Sequence, residues 1–310
     1  MSPLIRFAVT HLRALLNGFS QIFLQRHCGC GALVLLAIAL GAPGLLGSAL
    51  LGGLSSQFTA QRRGYAQADI DVGLYGYNGI LLGLLVSLKF AEPVLAPLLI
   101  MLSAGLSSLL LAPWMRRMRE QQWLPAFTLP FVALSWALLA LPLQLQGGAA
   151  IETPPFDGLS AFTAIARGLG QVVFLDQPLA GVCLLFGLLL ADKRSACWAL
   201  LGSAAGLGLA VHLGWPQHGA LAGLHGYNAA LAAIAVSQVQ RGPWLPLLAM
   251  VLATLLQPGF AALGLPALTL PFILACWLIT ASQRLLLSAA ADCAPAIQSG
   301  KSLHRPSKTP

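Results

Sequence analysis

Two threonines share one unusual setting. Thr128 lies within LPAFTLPF (124–131) and Thr269 within LPALTLPF (265–272). A hydroxyl both donates and accepts a hydrogen bond. Each flanking proline removes an amide donor and crowds the preceding turn, so neither segment runs as plain helix interior. In apolar surroundings the released carbonyls must be buried in protein or line a cavity. Two further landmarks precede each motif. GFSQIFLQ (18–25) answers GLGQVVFL (168–175) and sets Gln21 against Gln171. GLYGYNGILLGLL (73–85) answers GLHGYNAALAAIA (223–235), setting Tyr77 and Asn78 against Tyr227 and Asn228. GYN at the head of an apolar run resembles the start of a short helix, whose free amides face the same space as the carbonyls. With Phe131 and Phe272, the chemistry on offer is neutral hydrogen bonding between aromatic faces. It suits a small, uncharged, polar solute and gives an ion little to replace its hydration shell.

Chemistry of other kinds finds few residues. No HExxH, GxSxG, phosphate-binding loop or dinucleotide fingerprint is present, so the chain does not read as an enzyme. The nine carboxylates fall almost wholly in loops or at span ends. His225 stands two residues before Tyr227, but its repeat partner is Tyr75, which favours packing over proton relay. His212 and His218 lack the spacing of a helical metal pair. The six cysteines are scattered through apolar runs, Cys28 and Cys30 being the closest pair. They read as small buried hydrophobes, and neither metal nor cofactor is expected.

The elements that position these residues follow from composition. Of 310 residues, 57% are hydrophobic and 8% charged. So few charges cannot cover a water-facing surface, where about a quarter of residues are charged. Apolar runs long enough for a bilayer recur without the alternation of a barrel strand. They lie near 30–42, 44–60, 73–90, 93–114 and 123–145, then near 178–191, 196–213, 223–239, 243–263 and 266–287. The three landmarks recur in the same order at offsets of 150, 150 and 141 residues. The expectation is an all-α membrane protein with ten transmembrane helices in two repeats of five. An odd number of spans per repeat inverts the second repeat, and short broken pore helices meet around a pseudo-two-fold axis.

Charge supports that count. With the N-terminus in the cytoplasm, 15 of 17 basic residues fall on the inner side, and only Lys89 and Arg167 fall outside. The net charge of +8 thus belongs to inner loops and not to nucleic-acid binding. The organisation expected is a basic amphipathic segment (1–27), a first repeat (28–146), a periplasmic linker (147–160), a second repeat (161–291) and a disordered cytoplasmic tail (292–310).

The doubled Leu-Pro-x-x-Thr-x-Pro-Phe, with Gly-Tyr-Asn and the glutamine element ahead of each, closely resembles the urea transporter family across about residues 10–290. The resemblance implies a ten-span inverted repeat, assembled in the membrane lipid as a homotrimer with one urea pore per protomer. It implies downhill, channel-like passage through a narrow slot walled by aromatic and apolar faces, with a ladder of acceptor oxygens along one edge. By position, Gln21 and Gln171 stand near opposite ends of the ladder and accept N–H bonds. Some relatives carry glutamate at one of these places. Thr128 and Thr269 line the central constriction. Tyr77 and Tyr227 fall at the heads of the pore helices, and Leu81 and Val172 where carbonyls and slot walls are expected. Leu24 stands where some relatives have phenylalanine, so one wall of the cytoplasmic slot is expected to be either weaker or supplied by Phe23. A bacterial inner membrane with both termini cytoplasmic fits the compact Leu/Ala/Gly-rich composition, which carries no Asn-x-Ser/Thr sequon. The alternatives are an ion-coupled secondary transporter, which keeps an intramembrane ionisable group, and an ammonia-type channel, which places paired histidines in its pore.

Overall fold

The computed structural model describes residues 3–90, 92–143 and 156–293. Most of the expected linker, including Glu152, and the tail from 294 lie outside the described residues. Among the described residues every element of regular structure is a helix. The first half runs α1 (Pro3–Gln21), α2 (Cys28–Gly41), α3 (Leu46–Arg62), α4 (Gln67–Asp71), α5 (Gly76–Lys89), α6 (Leu95–Gln121) and α7 (Leu129–Leu139). The second runs α8 (Gly158–Gly170), α9 (Pro178–Ala191), α10 (Lys193–His212), α11 (Gln217–Leu221), α12 (Gly226–Val239), α13 (Trp244–Ala262) and α14 (Leu270–Cys293).

The halves match partner for partner. α1 packs on α2, α3, α4 and α5 as α8 packs on α9, α10, α11 and α12. α3, α5 and α6 pack on one another as α10, α12 and α13 do. α7 sits on α5 and α6 as α14 sits on α12 and α13. Between the halves, α2 meets α9 and α7 meets α14. Glycine makes the tight crossings. A Cβ on Gly31 would strike the carbonyl of Leu16, and one on the matching Gly181 would strike that of Ala166. Such small residues let membrane helices approach backbone to backbone.

Every apolar stretch read from the sequence carries a helix. Among the described residues, four helices are long and apolar enough to cross a membrane alone: α6, α10, α13 and the Leu270–Ser288 part of α14. α8, extended by a 3-10 turn to Val173, and α9 form a further apolar pair bent by 75°. α2, α5 and α7 are shorter apolar helices. The outer face of α6 shows Leu98, Leu102, Leu106 and Leu110 at helical spacing, all exposed, while Ser103, Ala104, Ser107, Ser108 and Leu111 turn inward. An exposed leucine stripe of this kind fits hydrocarbon better than water.

α5 and α12 occupy the centre. Gly76 to Val86 are buried without a break, and so are Asn228 to Ser237. A helix sheathed in protein on all sides need not match the bilayer in length, which accounts for their 14 residues each. Their polar heads, Tyr77-Asn78 and Tyr227-Asn228, are thereby held in the interior beside the two proline motifs.

Candidate functional site

The proline motifs fold alike. After α6 the chain turns through a left-handed Gln122 (φ 54°) and a second left-handed residue, Phe127 (φ 44°), and α7 then starts with Pro130 in its first turn. In the other half Leu268 adopts φ 46° before α14. Proline fits a helix's first turn, where its missing amide would have no partner anyway. The amides released there are held from the centre. Asn78 Oδ1 accepts from Phe131 N at 3.2 Å, and Asn228 Oδ1 accepts from Phe272 N at 3.2 Å. The carbonyl before each threonine also finds a donor. Tyr77 Oη donates to Phe127 O at 2.6 Å and Tyr227 Oη donates to Leu268 O at 2.7 Å.

The motifs then lock to each other. Trp136 Nε1 donates to Pro266 O at 2.9 Å, and Trp277 Nε1 donates to Pro125 O at 2.8 Å. Each half gives what it receives, which is the signature of a two-fold contact. Thr128 Oγ1 and Thr269 Oγ1 meet at 2.7 Å, both buried. One hydrogen bond between two hydroxyls leaves one proton and three lone pairs for a third party.

The glutamines are set by a second matched turn. α1 ends at Gln21; Leu24 N donates to Gln21 O and Gln25 N to Ser20 O. Phe174 N donates to Gln171 O and Leu175 N to Gly170 O. This closure needs a left-handed residue, normally glycine, yet Leu24 (φ 59°) and Phe174 (φ 60°) fill it. Non-glycine residues in that region cost on the order of 1–3 kcal/mol and persist where the surroundings over-determine them, commonly at functional sites. Gln21 Nε2 donates to Val72 O at 2.9 Å and Gln171 Nε2 donates to Ala222 O at 3.0 Å. Anchoring each amide nitrogen leaves Oε1, an acceptor, as the side chain's other polar atom. The neighbouring carbonyls are held too. Asn17 Nδ2 donates to Asp71 O, and Arg167 Nη1 donates to Leu221 O.

A cavity of about 590 Å³ opens against the second half's version of this arrangement. Gln171, Val172, Phe174, Tyr227, Thr269 and the motif ring Phe131 line it. Among the described residues that line it, the only histidines are His218 and His225, and there is no carboxylate, lysine or arginine. His225 packs on Trp215 with ring centroids 4.9 Å apart, as Tyr75 stacks on Tyr65 at 5.1 Å in the other half. Trp215 and His225 line this cavity, whereas Tyr65 and Tyr75 line a separate pocket in the first half.

Five of the pore residues singled out from sequence therefore share one cavity: Phe131, Gln171, Val172, Tyr227 and Thr269. Thr128 joins them through Thr269. Gln21, Tyr77 and Leu24 hold the matching places in the first half. Leu81 and Phe23 instead turn into the core, each 1% exposed. Sequence reading missed Phe174, Trp136 and Trp277. For Phe174 the signal was available, since it stands at the repeat position of Leu24. The tryptophans are matched across the halves at the motif's own offset of 141 residues.

Comparison with known proteins agrees in kind and extent. A family model described as Urea transporter matches residues 12–284. Urea transporter 1 of Ovis aries is 27% identical over 293 residues, covering 84% of this chain and 74% of the relative. Urea transporter 1 of Rattus norvegicus is 27% identical over 294 residues with the same coverage. That of Mus musculus is 28% identical over 246 residues, covering 72% and 62%.

Proposed function

The chain belongs to the urea transporter family, and from that premise we propose how its residues pass urea across a membrane. Transport is facilitative, and the chain is a channel or transporter and not an enzyme. Urea is planar, with four N–H donors and one carbonyl. Entering an apolar slot strips its water, and each donor left unmet costs about 1–3 kcal/mol. A row of oxygens along one edge removes that cost for a flat solute carrying amide protons. Gln21 Oε1 and Gln171 Oε1 serve the two ends of the row. The Thr128–Thr269 pair serves the centre, where its spare lone pairs accept from the passing amides. Tyr77 and Tyr227, with Val172 beside Tyr227, form the walls and hold the carbonyls of the motif in line. A cation would meet apolar faces with no carboxylate to replace its hydration, which makes entry very costly.

The observation that carries this reading is the direct meeting of Thr128 and Thr269 at the junction of the halves, flanked by two glutamines anchored in the same way. We extend it to the whole chain. Ten spans in two inverted repeats, 28–146 and 161–291, place one pore on the pseudo-two-fold axis, with α1 and α8 leading into it. Matched helix packing and the sidedness of the basic residues support this arrangement. A homotrimer in a bacterial inner membrane, with both termini cytoplasmic, completes it.

The test is urea flux in proteoliposomes. The expected result is downhill flux that saturates weakly and is unchanged by sodium, a proton gradient or voltage. Accumulation of urea driven by any of these gradients would overturn the channel mechanism.

A further inference from the structure

The two mouths of the proposed pore differ in where they keep their rings. In the second mouth the motif ring Phe131 has Phe174 as a neighbour, centroids 6.2 Å apart, and Leu268 lines the same cavity. The repeat maps Phe131 to Phe272, Phe174 to Leu24 and Leu268 to Phe127. The first mouth thus lacks a ring at Leu24 but gains one at Phe127, whose centroid lies 4.8 Å from that of Phe272. Each mouth keeps one phenylalanine and one leucine beside its motif ring, with the two positions exchanged.

Backbone demands do not explain the exchange. Leu24 and Phe174 share one left-handed turn, and Phe127 and Leu268 share the other. Leucine and phenylalanine therefore fit both positions. Phe23 does not restore the missing wall, because its repeat counterpart is Val173, which is not among the residues lining the second mouth. Phe127 remains half-buried, its carbonyl tied to Tyr77. A flat solute needs a flat face. A phenyl ring supplies one with little rotational freedom, whereas a leucine leaves an uneven, adaptable surface.

We infer that Phe127 is the specificity-determining wall of the first mouth, standing in for the ring absent at Leu24. This rests on the urea-pore reading above. Urea and N,N′-dimethylurea flux is to be measured in proteoliposomes of the full chain, for wild type, Phe127→Leu and the double variant Phe127→Leu/Leu24→Phe. The single variant is expected to lower urea flux by about threefold, the scale of one lost aromatic contact, and to narrow the preference for urea over its bulkier analogue. The double variant copies the second mouth's arrangement and is expected to restore both. A single variant with wild-type flux and preference overturns the inference, as does a loss that the double variant fails to restore. Wild type that carries no urea at all overturns the pore reading itself, a result the variants cannot produce.

Discussion

At the residue scale, the threonine pair concentrates the consequence. Neither hydroxyl has a structural duty that would unfold the chain if lost. Thr128 sits at the N-cap of α7 without a side-chain capping bond, and Asn78 and Asn228 satisfy the nearby amides. Thr269→Val keeps the shape, removes one oxygen and leaves the Thr128 hydroxyl without its partner. A lost hydrogen bond of about 1.4 kcal/mol corresponds to about tenfold in rate. Thr269→Val is therefore expected to reduce urea flux by about that factor while the purified protein keeps its helical circular dichroism and elution volume. Unchanged flux would remove Thr269 from the constriction. Proline and threonine announce themselves in a sequence because each breaks a local rule, so this pair was legible early. The left-handed turns that set Phe127 and Phe174 were not, because left-handed backbone at a non-glycine residue leaves no trace in composition; only the repeat position of Leu24 pointed to Phe174. Nor does sequence spacing show that Trp136 and Trp277 reach across to the opposite motif.

At the element scale, hydropathy found the helices that are apolar throughout and passed over those with two faces. α1 carries arginine, histidine, serine and threonine beside its leucines, and α8 carries arginine, serine and threonine, so neither was among the apolar stretches read as spans. Their packing makes each the opening helix of its half, ending at the glutamine turn. A distant side chain starts α7 and α14, where Asn78 and Asn228 accept from Phe131 N and Phe272 N. α2, α8 and α10 carry local caps instead, from His27, Asp157 and Asp192. Asp192 accepts hydrogen bonds from Arg194 N, Ser195 N and Ser195 Oγ. The Ser195 hydroxyl leads in holding this carboxyl below its ordinary range, helped by the two backbone amides and the Arg194 charge. Asp192→Ala is expected to cost about 1 kcal/mol of stability, the usual value of such a cap. The pKa is lower folded than unfolded, so this contribution is full above the ordinary carboxylate range. It is lost as pH falls through the folded value. Thermal unfolding in detergent should show the variant less stable than wild type near neutral pH, with the gap closing on acidification. A gap independent of pH would assign the cost to something other than the cap.

At the scale of the whole molecule, the matched packing admits two arrangements in a membrane. A two-fold axis along the membrane normal would put equivalent loops on one side, and an axis in the membrane plane would put them on opposite sides. The contacts within the chain are the same in both cases, so the choice falls to charge. Arg62 and Arg63 close α3, whereas the equivalent end of α10 carries His212 and Leu213. A basic loop inside and its uncharged counterpart outside is what inversion requires. Arg63 and Leu213 are both exposed and stand 150 residues apart at matching places. With the native cysteines replaced by alanine, Arg63→Cys and Leu213→Cys are to be treated in intact cells with a membrane-impermeant thiol reagent. Leu213→Cys is expected to label from outside, and Arg63→Cys only after the membrane is permeabilised. Labelling of both from the same side would place the axis along the normal. The two glutamine turns would then share one face of the membrane, and a path from Gln21 through the threonines to Gln171 would not cross it. Opposite labelling joins the two mouths into one passage with the threonine pair between them.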